Sequence, residues 1–335
     1  MFNRVAILGA GSWGLGIAHV TVNAGLNATI WEYDPQEFEI LRHQRTIPGK
    51  LPDFRLPDSV AVTNSLSRAL KDAELVLLAV PAQTLRSVMV ELAPLLPPEA
   101  GIVNLAKGIE VATLRRMSEI IIELRRDPVA AVATISGPSH AEEVVRDMPT
   151  TVVVAGQPDG FVEAVQESFS TPTFRIYKSH DLIGVELGGS LKNIIAISAG
   201  IAAGLGLGDN TLGALITRGL AEITRLGVAM GASPETFAGL SGIGDLVTTC
   251  ASRHSRNRFV GEAIGRGESL QQVLDNMKMV AEGVQTTRSG YQLSRKFQVE
   301  MPITRQVHDV LFKGKEPSEA VGDLMVRSLK EEIWQ

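Results

Sequence analysis

Lys192 stands in Gly188-Gly189-Ser190-Leu191-Lys192-Asn193, with apolar residues before and after it. An ammonium inside a long apolar helix is costly unless it is paired or faces a cavity, so Lys192 is a candidate working group. A lysine at a helix edge that snorkels to water is the plainer alternative. Lys107, in Ala106-Lys107-Gly108, follows a buried apolar run, where a lysine can face a ligand. Asp245 follows the small residues Gly242-Ile243-Gly244. Ser255-Arg256-Asn257-Arg258 gathers hydroxyl, guanidinium and amide donors that suit a phosphate monoester. The same tetrapeptide also fits a solvated basic face, and its weight comes from its company.

Gly9-Ala10-Gly11-Ser12-Trp13-Gly14 lies between an apolar run and a helical pattern. In that setting Gly9 makes a tight turn, Gly11 lets the backbone approach a pyrophosphate, and Gly14 lets helix pack on strand. The helix N-terminus supplies free N–H groups to the phosphates. Glu32 ends the second apolar run and is placed to accept hydrogen bonds from adenosine ribose hydroxyls. Tyr33 is placed to lie against the adenine. No Arg or Lys occurs in Glu32-Tyr33-Asp34-Pro35-Gln36-Glu37, which favours NAD(H) over NADP(H).

These residues need a scaffold. Val5–Leu8, Ala28–Trp31, Val60–Val62, Leu75–Val80, Ile102–Ala106 and Ala131–Ile135 are short, largely continuous apolar runs. Strands covered on both faces read this way. With helical patterns between them, they predict an α/β fold: an N-terminal Rossmann-type, mostly parallel sheet. Thr150–Ala155 and Phe174–Tyr177 add two β-like runs. After about Lys178 only helical patterns follow, from Leu182–Leu207 onward, predicting an all-α C-terminal half. The expected division is 1–180 and 181–335.

Composition narrows the function further. The 335 residues carry 32 Lys and Arg against 37 Asp and Glu, a formal charge of -5. Nucleic acid is therefore not the expected partner, since phosphate backbones select basic surfaces. The uncharged stretch from Val5 to Trp31 is interrupted by His19, Asn23, Asn27 and glycines, so no membrane insertion is expected. The single cysteine, Cys250, excludes an intramolecular disulfide and suits a reducing, cytoplasmic setting. No His/Cys/Asp cluster shows metal-ligand spacing, and no metal is expected.

The glycine-rich turn, Ala106-Lys107-Gly108, Ser136-Gly137-Pro138-Ser139-His140-Ala141, Glu186–Asn193, Gly244–Cys250, Ser255–Arg258 and Val280-Ala281-Glu282-Gly283 follow one another along nearly the whole chain. Together they resemble bacterial NAD(P)-dependent glycerol-3-phosphate dehydrogenase. The resemblance implies a Rossmann domain followed by an all-α C-terminal substrate domain, interconversion of dihydroxyacetone phosphate and sn-glycerol 3-phosphate, supply of phospholipid synthesis, and a homodimer. It implies Lys192 as general acid/base, with Lys107 and Asp245 as catalytic partners. Lys107, Gly137, Ser139, Asn193, Thr249, Ser255, Arg256 and Asn257 would line the substrate pocket with them. Ser12, Trp13, Tyr33, Lys107, Ala141, Arg256, Val280 and Glu282 would contact the dinucleotide. The chain departs from the family pattern in lacking Arg or His near Tyr33, and in Leu15-Gly16 and Ala82-Gln83. Other readings are a β-hydroxyacid or sugar-nucleotide dehydrogenase, the latter needing Cys250 as a nucleophile, and a non-catalytic dinucleotide sensor.

Overall fold

The computed structural model describes residues 2–125, 131–277, 279–329 and 331–332. Its sheet contains β1 (Arg4–Leu8), β2 (Asn27–Trp31), β3 (Ala61–Thr63), β4 (Leu75–Leu78), β5 (Gly101–Asn104), β6 (Val132–Ser136), β7 (Thr150–Gln157) and β8 (Phe174–Ser179). The spatial order is β3-β2-β1-β4-β5-β6-β7-β8. Neighbouring strands are parallel, except for the antiparallel pair β6 and β7. The continuous apolar runs have their expected cause: every residue of β4 and β5 is buried, because helices cover both faces. The chain reverses direction across the sheet between β1 and β4. Ligands of such sheets sit outside the strand C-termini at this reversal.

Gly9 shapes the first turn there. Its φ is +106°, and an added Cβ would lie 2.8 Å from the Ala79 carbonyl oxygen, so both conformation and space demand glycine.

Beyond β8 the described residues are helical, as the patterns indicate. Leu182–Gly204 is almost wholly buried and forms the axis of the second half. It is the one described helix long and apolar enough to cross a membrane, yet 89% of its apolar window is buried inside the fold. Asp209–Ala229, Asp245–Ala251, Arg256–Gly265, Glu282–Lys296 and Pro302–Lys313 pack against it. Its approach to Arg256–Gly265 is very close: a Cβ on Gly200 would lie 2.0 Å from the Arg258 carbonyl, and one on Gly261 2.0 Å from that of Ile197. Ser269 caps its helix in a reciprocal pair with Gln272. Buried Glu222 accepts the Ile303 and Thr304 N–H groups at the start of Pro302–Lys313.

One buried cluster fixes the long helix against the sheet. Glu186 accepts from Ser118 N at 2.9 Å, Ser118 Oγ at 2.6 Å, Arg116 Nη1 at 2.6 Å and Thr134 Oγ1 at 3.2 Å. With all these donors on the sheet side, neither rotation nor sliding of the helix is tolerated without stranding a buried charge. The register of Lys192, nearly two turns further on, is thereby set.

Candidate active site

A cleft of about 750 Å³ runs over the C-terminal ends of β1, β2 and β4 to the helical half. Gly9, Gly11, Ser12, Trp13, Glu32, Tyr33, Lys107, Ser139, Lys192, Asn193, Asp245, Thr249, Ser255, Arg256, Asn257, Val280 and Glu282 all line it. Gly14, Gly137 and Ala141 stand behind this wall. A Cβ on Gly14 would meet the Gly9 carbonyl at 1.9 Å, so its absence lets the helix Ser12–Asn23 close on the turn. The Gly137 carbonyl accepts from Lys107 Nζ at 3.0 Å. Ala141 packs beside Gly16.

At the helical end, Lys192 is 5% exposed and Asp245 2%. The Lys192 ammonium donates to Asp245 Oδ1 and, at 2.6 Å, to Thr249 Oγ1. Lys107 Nζ donates to the other carboxylate oxygen at 2.7 Å. One carboxylate thus holds two ammonium groups, one from each half of the chain. Burial pulls the Lys192 pKa down from the ordinary lysine value to about 8; Asp245 opposes this and Lys107 adds to it. Burial pushes Asp245 up, but the two lysines outweigh it and hold its pKa below the usual carboxylate range. Asp245 occupies this point because Leu240–Gly244 forms a wide turn whose Gly242 lies against the Phe237 backbone, where a Cβ would be 2.0 Å from Phe237 O. The helix Asp245–Ala251 then starts on the carboxylate.

Ser255 caps the helix Arg256–Gly265, its Oγ accepting from Arg258 N at 3.2 Å. Asn257 Oδ1 accepts from Gly283 N at 2.9 Å, which leaves its amide N–H groups to donate elsewhere. Arg256 is exposed at the cleft, with Nη1 3.0 Å from the Val280 carbonyl. Glu282 accepts from Ala82 N at 2.9 Å and ties the cleft's two banks together.

At the sheet end, Gly11 precedes a helix with no side-chain cap, and a Cβ there would meet nothing within 4 Å. Open space before free N–H groups fits a pyrophosphate. Glu32 is 6% exposed, its Oε2 3.2 Å from Ala10 N and its Oε1 2.9 Å from Asp34 N. Tyr33 is 74% exposed at the mouth, its ring 6.0 Å from that of Trp31. A nicotinamide dinucleotide therefore fits between Glu32 and Lys192.

Several wall residues escape a reading of motifs. His140 lies in Ser136-Gly137-Pro138-Ser139-His140-Ala141, where its spacing alone marks no role for it. Its Nε2 is buried without a hydrogen-bond partner, and burial, then Lys192, hold its pKa below the ordinary value. His254, immediately before Ser255, lies 6.0 Å from it, ring to ring. Glu37, in the first turn of the helix Pro35–Gln44, and the loop residues Lys50 and Met279 also line the cleft. Cys250 is fully buried and its thiol is pushed up to about 12 by burial, which removes the nucleophile that a sugar-nucleotide dehydrogenase of the four-electron kind requires. Among the described residues no three His, Cys, Asp or Glu side chains group as a metal site.

Comparison with known proteins gives the family of the chain. Residues 4–162 match the family model for the NAD-dependent glycerol-3-phosphate dehydrogenase N-terminus, and residues 181–322 that for its C-terminus. A Citrifermentans bemidjiense protein named glycerol-3-phosphate dehydrogenase, NAD(P)+, is 50% identical over 333 residues, 99% of each chain. A Geobacter sulfurreducens protein of the same name is 48% identical over 335 residues, 100% of each. The crystal structure of glycerol-3-phosphate dehydrogenase from Coxiella burnetii superposes with a TM-score of 0.93 at 36% identity, covering 97% of this chain and 99% of that one. Lys192, Asp245 and the glycine-rich turn thus stand in a chain that belongs to the NAD-dependent glycerol-3-phosphate dehydrogenase family.

Proposed function

We propose that the cleft interconverts dihydroxyacetone phosphate and sn-glycerol 3-phosphate, with Lys192 moving the proton. The observation that carries this reading is the buried Lys192 ammonium, held by Asp245 and Thr249 in the same cleft as the glycine-rich turn and Ser255–Asn257. When bound, the nicotinamide supplies the hydride in reduction and takes it back in oxidation. In reduction Lys192 donates a proton to the carbonyl oxygen as the adjacent carbon becomes saturated, and it regains a proton from solvent. In the reverse direction the neutral amine removes the hydroxyl proton. A lysine whose pKa is lowered to about 8 serves both directions near neutrality.

Arg256, Asn257 and Ser255 hold the phosphate, and Lys107, Ser139, Asn193 and Thr249 complete the substrate pocket around the carbonyl. Phosphate binding thereby positions the reacting carbon. Glu32, Tyr33, Trp13, Val280 and Glu282 line the dinucleotide path. We further propose that residues 1–180 form the dinucleotide-binding unit and 181–335 the substrate unit. The gap between β8, ending at Ser179, and the helix starting at Leu182 supports that division. The working form is a cytoplasmic homodimer that feeds phospholipid synthesis, a reading supported by the family resemblance and by the free, buried Cys250.

The test is consumption of reduced cofactor with dihydroxyacetone phosphate and with unphosphorylated dihydroxyacetone. Turnover with the phosphorylated substrate is expected. Arg256→Ala should raise its KM by about ten- to a hundredfold, the worth of one charge-assisted phosphate contact, with a smaller change in kcat. An unchanged KM would remove Arg256 from the phosphate site. Absence of turnover by folded, cofactor-binding protein would overturn the reading.

A further inference from the structure

The adenosine end of the cleft holds a cation that residues 32–37 do not disclose. Lys50 lies between the helix Pro35–Gln44 and β3. Its ammonium is paired with Glu37 and stands 3.7 Å from Glu32 Oε2. The Ser12 hydroxyl donates to the Lys50 carbonyl, which fastens this loop to the start of the helix after the glycine-rich turn. Lys50, Glu32, Glu37 and Ser12 all line the cleft.

The two carboxylates differ in freedom. Glu32 is pinned by two main-chain N–H groups and nearly closed to water. Alone, it would repel a phosphate on the adenosine ribose. The Glu37 side chain is 35% exposed and sits in the first turn of a surface helix. Its pair with Lys50 is replaceable, because a carboxylate with access to water loses little on giving up an ion pair. Lys50 therefore can exchange Glu37 for a stronger anion without leaving the wall.

We propose that Lys50 is the specificity-determining residue of the adenosine site, releasing Glu37 to pair with the 2′-phosphate of NADP(H). The chain then uses NADPH as well as NADH, despite Glu32 and the lack of a cation beside Tyr33. This rests on the dinucleotide reading of the cleft.

The test is calorimetric binding of NADPH and NADH, which differ only in the 2′-phosphate, to the full chain. Lys50→Met should weaken NADPH about ten- to a hundredfold more than NADH, the range for one charge-assisted hydrogen bond. Lys50→Arg should restore the ratio. Glu37→Gln, which removes the competing carboxylate, should shift it toward NADPH. The ratio of kcat/KM values should follow the binding ratio. Equal weakening of both cofactors by Lys50→Met would overturn the proposal, leaving Lys50 as loop support. Binding of NADH but not NADPH by the unsubstituted protein would overturn it too. Binding of neither would instead overturn the dinucleotide reading on which it stands.

Discussion

Lys192→Ala is expected to lower turnover by about 10²–10⁴-fold, the usual contribution of a positioned acid or base, while reduced cofactor still binds. The substitution is a clean probe because of what it leaves behind. Asp245 keeps Lys107 at 2.7 Å, so no buried carboxylate is stranded. Thr249 keeps its hydrogen bond to the Asp245 carbonyl at 2.6 Å, so the short helix keeps its first turn. The glycine-rich turn and Glu32 lie at the far end of the cleft. Cofactor titration by fluorescence, alongside turnover, separates the two effects. Turnover within a few-fold of the unsubstituted protein would dismiss Lys192 as the proton donor.

Asp245→Asn has the second largest expected effect, and it acts on rate and stability together. The carboxylate is the one group holding both the Lys192 and the Lys107 ammonium. Neutralising it leaves two cations side by side in a buried site, a cost of about 3 kcal/mol in unfolding free energy. It also removes the interaction that keeps Lys192 from falling further in pKa. Burial and Lys107 then act unopposed, so less of Lys192 is protonated at neutral pH. Reduction of dihydroxyacetone phosphate should slow there, and its loss of rate with rising pH should begin at lower pH. Denaturant melts and a pH–rate profile check both parts. A fall in stability with an unmoved profile would make Asp245 a packing anchor alone.

The scaffold is legible from the chain because its cause is local. Leu75–Leu78 and Ile102–Val103 are apolar at every position because both faces of those strands are covered, and composition alone records that. Ser269 and Pro317 mark helix starts through their own hydrogen-bonding and backbone chemistry. Lys192 shows itself because a charge in an apolar stretch needs a reason. What escapes is long-range. Lys50 reaches Glu32 through an irregular segment closed by Arg45, whose Nη2 donates to the Val60 carbonyl at 2.7 Å. No periodicity announces that closure, and residues 32–37 alone do not disclose the cation. The pairing of Lys107 with Asp245 joins residues 138 positions apart and depends on the turn at Gly242. His140 and His254 meet only because β6 and the helix Arg256–Gly265 face one cleft.

The most direct measurement of the central claim is kcat/KM against pH in both directions with the unsubstituted protein. Reduction needs the Lys192 ammonium and oxidation needs its amine. With a Lys192 pKa of about 8, reduction should fall as pH rises through that value, and oxidation should rise through the same value. The two limbs should be mirror images, and Asp245→Asn should move both to lower pH. Reduction and oxidation that both stay flat across that interval, or limbs centred on different values in the two directions, would contradict a single lysine acting as acid one way and base the other.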